Sequence, residues 1–510
     1  MSASLAAEAA EIPLSSKLEA NLDGLRQALG ASDDFTLRRL DNGCALVYID
    51  GLVDSDTVSR DLVAPLLTLA EEERQSLASS GKLITELRSR LLAAGELRAA
   101  ASLTTVIDAV LNGSTVVLAE GLEEALTAGT PGWERRAVEE PKTQTVVRGP
   151  KESFTETLRT NTSLLRRKIR SPKLRLHTLR IGRVTQTQVA LAYIEGVADE
   201  GVVRELRRRL EDIDTDSILE SCYIEEFIED SPYSPLPTLA NTERPDAVAA
   251  GLLEGQAAVF VDGTPFVLLG PVTFFNFLQS SEDYYQRYDI ATFIRLIRYV
   301  SFVVSMLLPA MYIAITTFHQ EMLPTTLLIS LAAQREGVPF PAFVEAMIME
   351  VTFEVLREAG IRMPRVVGPA ISIVGALVLG QAAVQAGLVS AAMVIVVSFT
   401  AISNFVIPAL NVTVAARLVR FLLMILAATL GLFGIVAGFM ALLIHMASIR
   451  SLGVPYLSPL APLNLSSLKD AIVRMPWWTL KTRPQGLAHR NRKRQKDGMR
   501  PAPPKGEQGS

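Results

Sequence analysis

The chain has 510 residues, 49% of them hydrophobic, and a formal net charge of −4. Two cysteines (Cys44, Cys222) and four scattered histidines (His177, His319, His445, His489) argue against a disulfide framework, a thiolate metal site and a zinc enzyme. The charge is uneven, because the tail from Arg474 carries +8 and everything before it −12.

Residues 1–33 read as a polar extension with acids at Glu8 and Glu11, no basic n-region and no apolar core, unlike a secretory signal. The head that follows is therefore expected on the cytoplasmic side. It contains an internal repeat. Ala45–Asp54 (ALVYIDGLVD) matches Ala190–Asp199 (ALAYIEGVAD), and Asn112–Gly121 parallels Glu254–Gly263. Each copy is a buried-type strand ending in acid-Gly, and the first pair leads into helical patterns. Two α/β subdomains follow, at 34–126 and 156–280, joined by a turn-rich linker at 127–155. Gly51 and Gly196 are read as sharp turns in preference to ligand sites at strand ends.

No phosphate-binding glycine loop, nucleophile elbow or HExxH motif occurs in a fitting context, so no catalytic residue, metal or cofactor is expected. Arg244 and Asp246, in NTERPD at 241–246, are candidate partner contacts, although the segment also suits ordinary helix capping. The basic stretch Leu164–Arg170 is a candidate lipid-headgroup contact or a solvated helix face.

At Ile294 the chain changes solvent. The apolar runs Ile294–Thr317, Val366–Leu388, Ala391–Ile407 and Phe421–Met446 come near or above the roughly 20 residues that cross a bilayer. The fold class is thus a duplicated α/β head followed by an all-α polytopic transmembrane domain at 281–455, with about four spans. Val366–Leu388 and the following run form a tight hairpin with Gly387 at its turn. The loop His319–Arg365, with six Glu and four Arg, carries two further helices near 323–333 and 343–358, read as interfacial or re-entrant. Residues 456–510 form a basic tail, disordered at its end, and Trp477-Trp478 suits an interfacial anchor. An even number of spans puts head and tail on one side; Arg417 and Arg420 oppose that layout and are read as snorkelling.

On a helical wheel, Val374, Val378, Gln381 and Gln385 share one narrow sector, opposite Ala376, Gly380, Ala383 and Gly387. Small residues allow close helix contact. The Val/Gln face suits either a pore with an apolar constriction or interhelical hydrogen bonding. Gly431, Gly434 and Gly438 read as a packing seam.

Several blocks carry a family resemblance: Val146–Pro150, NTERPD at 241–246, Thr317–Glu321, REGVPFPAFVEA at 335–346, LREAGIRMPR at 356–365, the run 373–390 and GVPYLSPLAPL at 453–463. With them the chain resembles the A subunit of spore germinant receptors, the GerA family. The resemblance implies a non-enzymatic integral protein of the endospore inner membrane. It implies a transporter-like B subunit and a lipoprotein C subunit as partners, homo-oligomerisation into a nutrient-gated cation channel, contact with membrane lipid and no nucleic acid. It tips the Val/Gln face toward the pore. The alternatives are a non-conducting scaffold of the germination complex, or the paralogous subunit of the dipicolinate-release machinery.

Overall fold

The computed structural model describes residues 12–501 except 31, 80–81, 92–95, 133–139, 142, 363–379, 485, 487–490 and 497. Two compact units emerge. The first holds the chain up to Glu229 with Leu239–Val272 and Lys481–Asp497. The second holds Asp230–Thr238 and Thr273–Leu480.

In the first unit, strands β1 (Phe35–Leu40), β2 (Cys44–Ile49), β3 (Leu97–Ala100), β4 (Ser114–Ala119) and β5 (Ala125–Gly129) form one sheet of order β1-β2-β4-β5-β3. Strands β6 (Leu174–Ile181), β7 (Thr187–Ile194), β8 (Ala240–Thr242), β9 (Ala257–Val261) and β10 (Val267–Gly270) form a second, of order β6-β7-β9-β10-β8. The topologies are the same, and so is the register of the repeated strands. Ala45 faces Leu118 across β2 and β4, and their repeat equivalents Ala190 and Phe260 face each other across β7 and β9. Every pairing among the described residues is antiparallel. The acid-Gly ends therefore do not form the carboxyl edge of a parallel sheet. Gly51 and Gly196 take φ of 83° and 76°, turn geometry that a Cβ disfavours.

Strand β2 reads as a continuous apolar run because helices cover both its faces. Ala45, Val47 and Ile49 pack with α1 (Leu18–Leu29) and α2 (Leu103–Leu111), whereas Cys44 and Leu46 pack with the helical stretches around Val58–Leu69 and Leu83–Leu91. In the second sheet, α3 (Leu158–Lys168) and α6 (Pro245–Glu254) cover the face of Ala190, Ala192 and Phe260. Helices α4 (Glu200–Glu211) and α5 (Ser221–Ile228) bury Val203, Leu206, Leu210, Ile224 and Ile228.

The repeated acids have a structural task. Glu120 accepts from Leu18 N–H at 2.6 Å and Asp262 from Leu158 N–H at 2.9 Å, so each caps the first helix of its subdomain. Beside them Asn21 brackets Ser15, and Asn161 brackets Thr155, by the same pair of hydrogen bonds.

In the basic stretch 164–170, Arg166 is spent inside the unit, Arg167 and Lys168 are half-buried and paired, and Arg170 stays exposed. Arg166 is 2% exposed and grips Asp34 at 2.7 and 2.9 Å and Ser32 Oγ at 3.0 Å. Arg167 and Lys168 pair with Glu152, and Arg170 donates to Asn112. Asp33 N–H also donates to Leu176 O, which joins the residues before β1 to β6. This is the seam between the two subdomains.

Among the described residues of the second unit, two helices are long and apolar enough to cross a membrane: α7 (Tyr288–Phe318) and α12 (Leu410–Ser448). Between them the described residues hold α8 (Thr325–Arg335), α9 (Ala342–Arg362), α10 (Gly380–Gln385) and α11 (Ala391–Phe405). The expected fourth span is not one straight helix. Gly431 has φ 62° and ψ −142°, and it divides α12 into two arms. A Cβ on Gly434 would sit 2.2 Å from Leu426 O, and one on Gly438 would sit 2.8 Å from Leu423 Cδ2. Residues eight apart in a straight helix are about 12 Å apart. The arms therefore fold back on each other, and the glycines allow the close approach.

Contacts along α7 order the other helices. Gly431 lies against Phe318 and His319 at the end of α7, and Arg420 donates to Ser305 O at its middle. The first arm of α12 thus runs parallel to α7 and the second runs back. Ser390 meets Tyr312 at the same end, and Glu345 of α9 meets Ser390. Glu350 and Glu354 reach Arg420 and Arg417 further down, so α9 runs antiparallel to α7. With 21 residues, or about 31 Å, α9 is as long as a bilayer core is thick, and Glu345, Ala346 and Glu350 are buried. The helix expected near 343–358 runs over Ala342–Arg362 and turns Glu345, Ala346 and Glu350 into the bundle.

After α12 the chain returns to the start of α7. Tyr456 O accepts from Phe274 N–H at 2.8 Å, and Ala471 O accepts from Tyr299 OH at 2.8 Å.

Candidate functional site

The second unit buries two clusters of charge. The first clamps the base of α7. Arg295 and Arg298, 0% and 8% exposed at the side chain, share Asp283 at 3.2 and 2.7 Å, and Arg295 also reaches Asp470 at 3.2 Å. Tyr284 OH donates to Asp470 at 3.0 Å. Arg474 lies 5.3 Å from the Tyr284 ring centroid and 5.0 Å from that of Trp477. The pattern is a rivet of ion pairs and cation–π contacts that holds segment 470–477 against the first span.

The second cluster lies along α9. Arg420 meets Glu350 Oε2 at 3.0 Å, both side chains being 1% exposed, and reaches Glu354 at 3.4 Å. Arg417 and Arg357 each contact Glu354 at 2.7 Å. Two turns away Glu345 Oε1 accepts from both Ser390 N–H at 2.6 Å and Ser390 O–H at 2.5 Å. The arginines read as snorkelling are thus held inside the unit. Sequence reasoning missed these pairs because the partners are far apart in the chain. Their one visible signal was the run of glutamates at 345, 350, 354 and 358 among apolar residues. Acids in such surroundings are expensive and point to function.

The candidate pore face is only partly described. Val374, Val378 and Ala376 lie outside the described residues. Gln381 and Gln385 are exposed on the surface of the chain, Gly380 is buried and Ala383 is half-buried. A Cβ on Gly380 would lie 3.8 Å from Val394 of α11. Gly387 has φ 65° and closes the turn, with Gly337 O 3.0 Å from where its Cβ would be.

Arg244 and Asp246 sit elsewhere, in the first unit, where they form an internal clamp. Their side chains are 3% and 7% exposed and 2.8 Å apart, and Arg244 donates to Gln144 O and Pro150 O. Neighbouring Glu243 accepts from Thr143 and Gln144. The NTERPD segment therefore fastens the linker to the second subdomain. On α5, burial and the neighbouring carboxylates Glu229, Glu220 and Glu226 push the Glu225 carboxyl up to about 7. Among the described residues no group of His, Cys, Asp or Glu is arranged to hold a metal ion.

Residues 23–486 match the family described as Bacillus/Clostridium GerA spore germination protein. The chain belongs to the GerA family. Spore germination protein KA of Bacillus subtilis (strain 168) is 48% identical over 96% of this chain and 90% of that protein. Spore germination protein GerLA of Bacillus cereus is 40% identical over 92% and 96%. Stage V sporulation protein AF of Bacillus subtilis (strain 168) is 33% identical over 92% and 94%. The crystal structure of the N-terminal domain of the A subunit of the Bacillus megaterium spore germinant receptor GerK3 covers 52% of this chain and 99% of that one, at 35% identity and TM-score 0.41. Membership in the GerA family, together with the two long apolar helices, gives this chain a membrane-associated role in spore germination.

Proposed function

We propose that this GerA-family chain is the A subunit of a nutrient germinant receptor in the endospore inner membrane, and that it oligomerises into a ligand-gated cation channel. The head and tail lie on the core side. A transporter-like B subunit and a lipoprotein C subunit complete the complex, and no step is catalytic. The observation that carries the channel reading is the exposure of Gln381 and Gln385, on the helix whose small residue Gly380 is turned into the bundle. A polar face left uncovered in a single apolar-coated chain needs water or a second copy. A ring of such faces supplies both.

The test is potassium release from dormant spores and from liposomes carrying the purified chain with its partners. In this reading Val374 and Val378 form the apolar constriction. Val374→Ala or Val378→Ala widens it, lowers the dewetting barrier and is expected to release cations without nutrient. Gln381→Leu is expected to slow release while the protein stays at normal abundance. A non-conducting scaffold predicts parent-like leak in all three variants. The identity is higher to spore germination protein KA, at 48%, than to stage V sporulation protein AF, at 33%, which supports placing the chain with the germination proteins.

A further inference from the structure

Helix α9 puts carboxylates where an apolar side chain would pack at lower cost. Glu345 and Glu350 are 0% and 1% exposed, and each keeps one oxygen without a hydrogen-bond partner. A buried charge with unmet hydrogen bonds destabilises, and replacing a buried ion pair by apolar residues is often neutral or stabilising. What the two glutamates add is fixed geometry at two separate places. Glu345 Oε1 takes both donors of Ser390, the N-cap of α11, whose Oγ in turn accepts from Met393 N–H at 3.2 Å. Ser390 also closes the turn that begins at Gly387, directly after α10 with its exposed Gln381 and Gln385. One carboxylate thus holds the turn that links α10 to α11. Glu350 meets Arg420 at 3.0 Å, and Arg420 also donates to Ser305 O, so α9 is tied at its middle to α12 and α7.

We propose that Glu345 is a positioning residue: through Ser390 it sets where the α10–α11 hairpin stands, and the Glu350–Arg420 pair fixes α9 so that displacement of α12 or α9 reaches that hairpin. The effect on ion flow rests on the channel reading, but the positioning itself does not.

The experiment measures distances between spin labels at Ala386→Cys and Met322→Cys in the full-length chain. Cys222 is replaced by Ser, buried Cys44 is left in place, and labelled chains are diluted with unlabelled ones. Glu345→Gln keeps an acceptor for Ser390 and is expected to give the parent distribution. Glu345→Ala frees the turn, and its distribution is expected to broaden about two-fold or to split into two populations. Parent width in Glu345→Ala overturns the proposal. Should that variant fail to accumulate, Glu345→Leu removes the acceptor for both Ser390 donors while keeping the bulk of the side chain; broadening supports the assignment and parent width overturns it. The latch is tested by Glu350→Arg, Arg420→Glu and the double exchange. Broadening in each single variant with recovery in the exchange is expected, and unchanged single variants remove the latch. Potassium release from dormant spores in nutrient-free buffer is then read for Glu345→Ala. Broadened distances with parent-like release would leave the positioning role standing and sink the channel reading instead.

Discussion

Arg166 shows how much one side chain carries when its partner is buried with it. Asp34 is 11% exposed, and the guanidinium that neutralises it also donates to Ser32 and lies across the seam between the subdomains. Removing either partner strands a buried charge, so Arg166→Ala is expected to cost about 3–5 kcal/mol, and Asp34→Ala a similar amount. Joint removal should cost clearly less than the two together. Denaturation of the detergent-solubilised chain measures this, and single-variant losses below about 1 kcal/mol would contradict the seam. Glu225 works in the opposite direction. Its folded carboxyl titrates near 7 against an ordinary value of 4.5, because burial and three neighbouring carboxylates disfavour its charge. The folded chain therefore binds this proton more tightly than the unfolded one. The stability it gives is complete below about pH 4.5 and is lost as pH rises through 7, by at most about 3 kcal/mol. Glu225→Gln should flatten the fall in melting temperature between pH 5 and pH 8, and an unchanged pH profile would remove this carboxylate as its source.

At the scale of elements, what was legible in the chain followed physical constraint. The repeated strands could be paired from sequence because a strand buried on both faces tolerates few residue types. The helices that begin each subdomain could not, because only Leu18 and Leu158, and Asn21 and Asn161, persist in their capping arrangement. Periodicity placed Gln381 and Gln385 on one helix face because that depends on neighbours four apart. The contacts of Glu345 with Ser390 and of Glu350 with Arg420 depend on tertiary pairing over 45 and 70 positions, which no local pattern encodes. The hairpin in α12 was hidden for another reason: its apolar run continues through Gly431, and lipid-facing residues look alike on both arms. This has a direct consequence. Leu430, 51% exposed beside the bend, should stand at the end of the bundle away from the tail. In a Cys222→Ser background, Leu430→Cys is expected to react with a membrane-impermeant maleimide from the face opposite to Lys481→Cys. Protection from both faces would indicate a straight span with Leu430 at mid-bilayer.

For the molecule as a whole, the arrangement of the second unit constrains its topology more tightly than a count of apolar runs. The chain enters through 273–287 and leaves through 449–480, and Asp283, Arg295, Arg298, Asp470 and Tyr284 fasten those two stretches to each other. Helix α7 leads away from this end and the second arm of α12 leads back to it. In the proposed membrane placement, entry and exit at one end give an even number of crossings. The surface agrees with lipid contact, since Phe293, Val300, Ile395, Phe399, Leu422 and Phe433 all expose large apolar side chains on these helices. Reporters fused before Met1 and after Leu480 should therefore report the same side of the membrane, matching Lys481→Cys and opposing Leu430→Cys. Arg295→Gln is a sharper test, because it breaks the two ion pairs that Arg295 makes in the rivet, spares Arg298–Asp283 and leaves every apolar helix intact. If the even crossing is set by the helices alone, the reporters stay together and only thermal stability falls. If the rivet sets it, part of the population should place the tail on the far side.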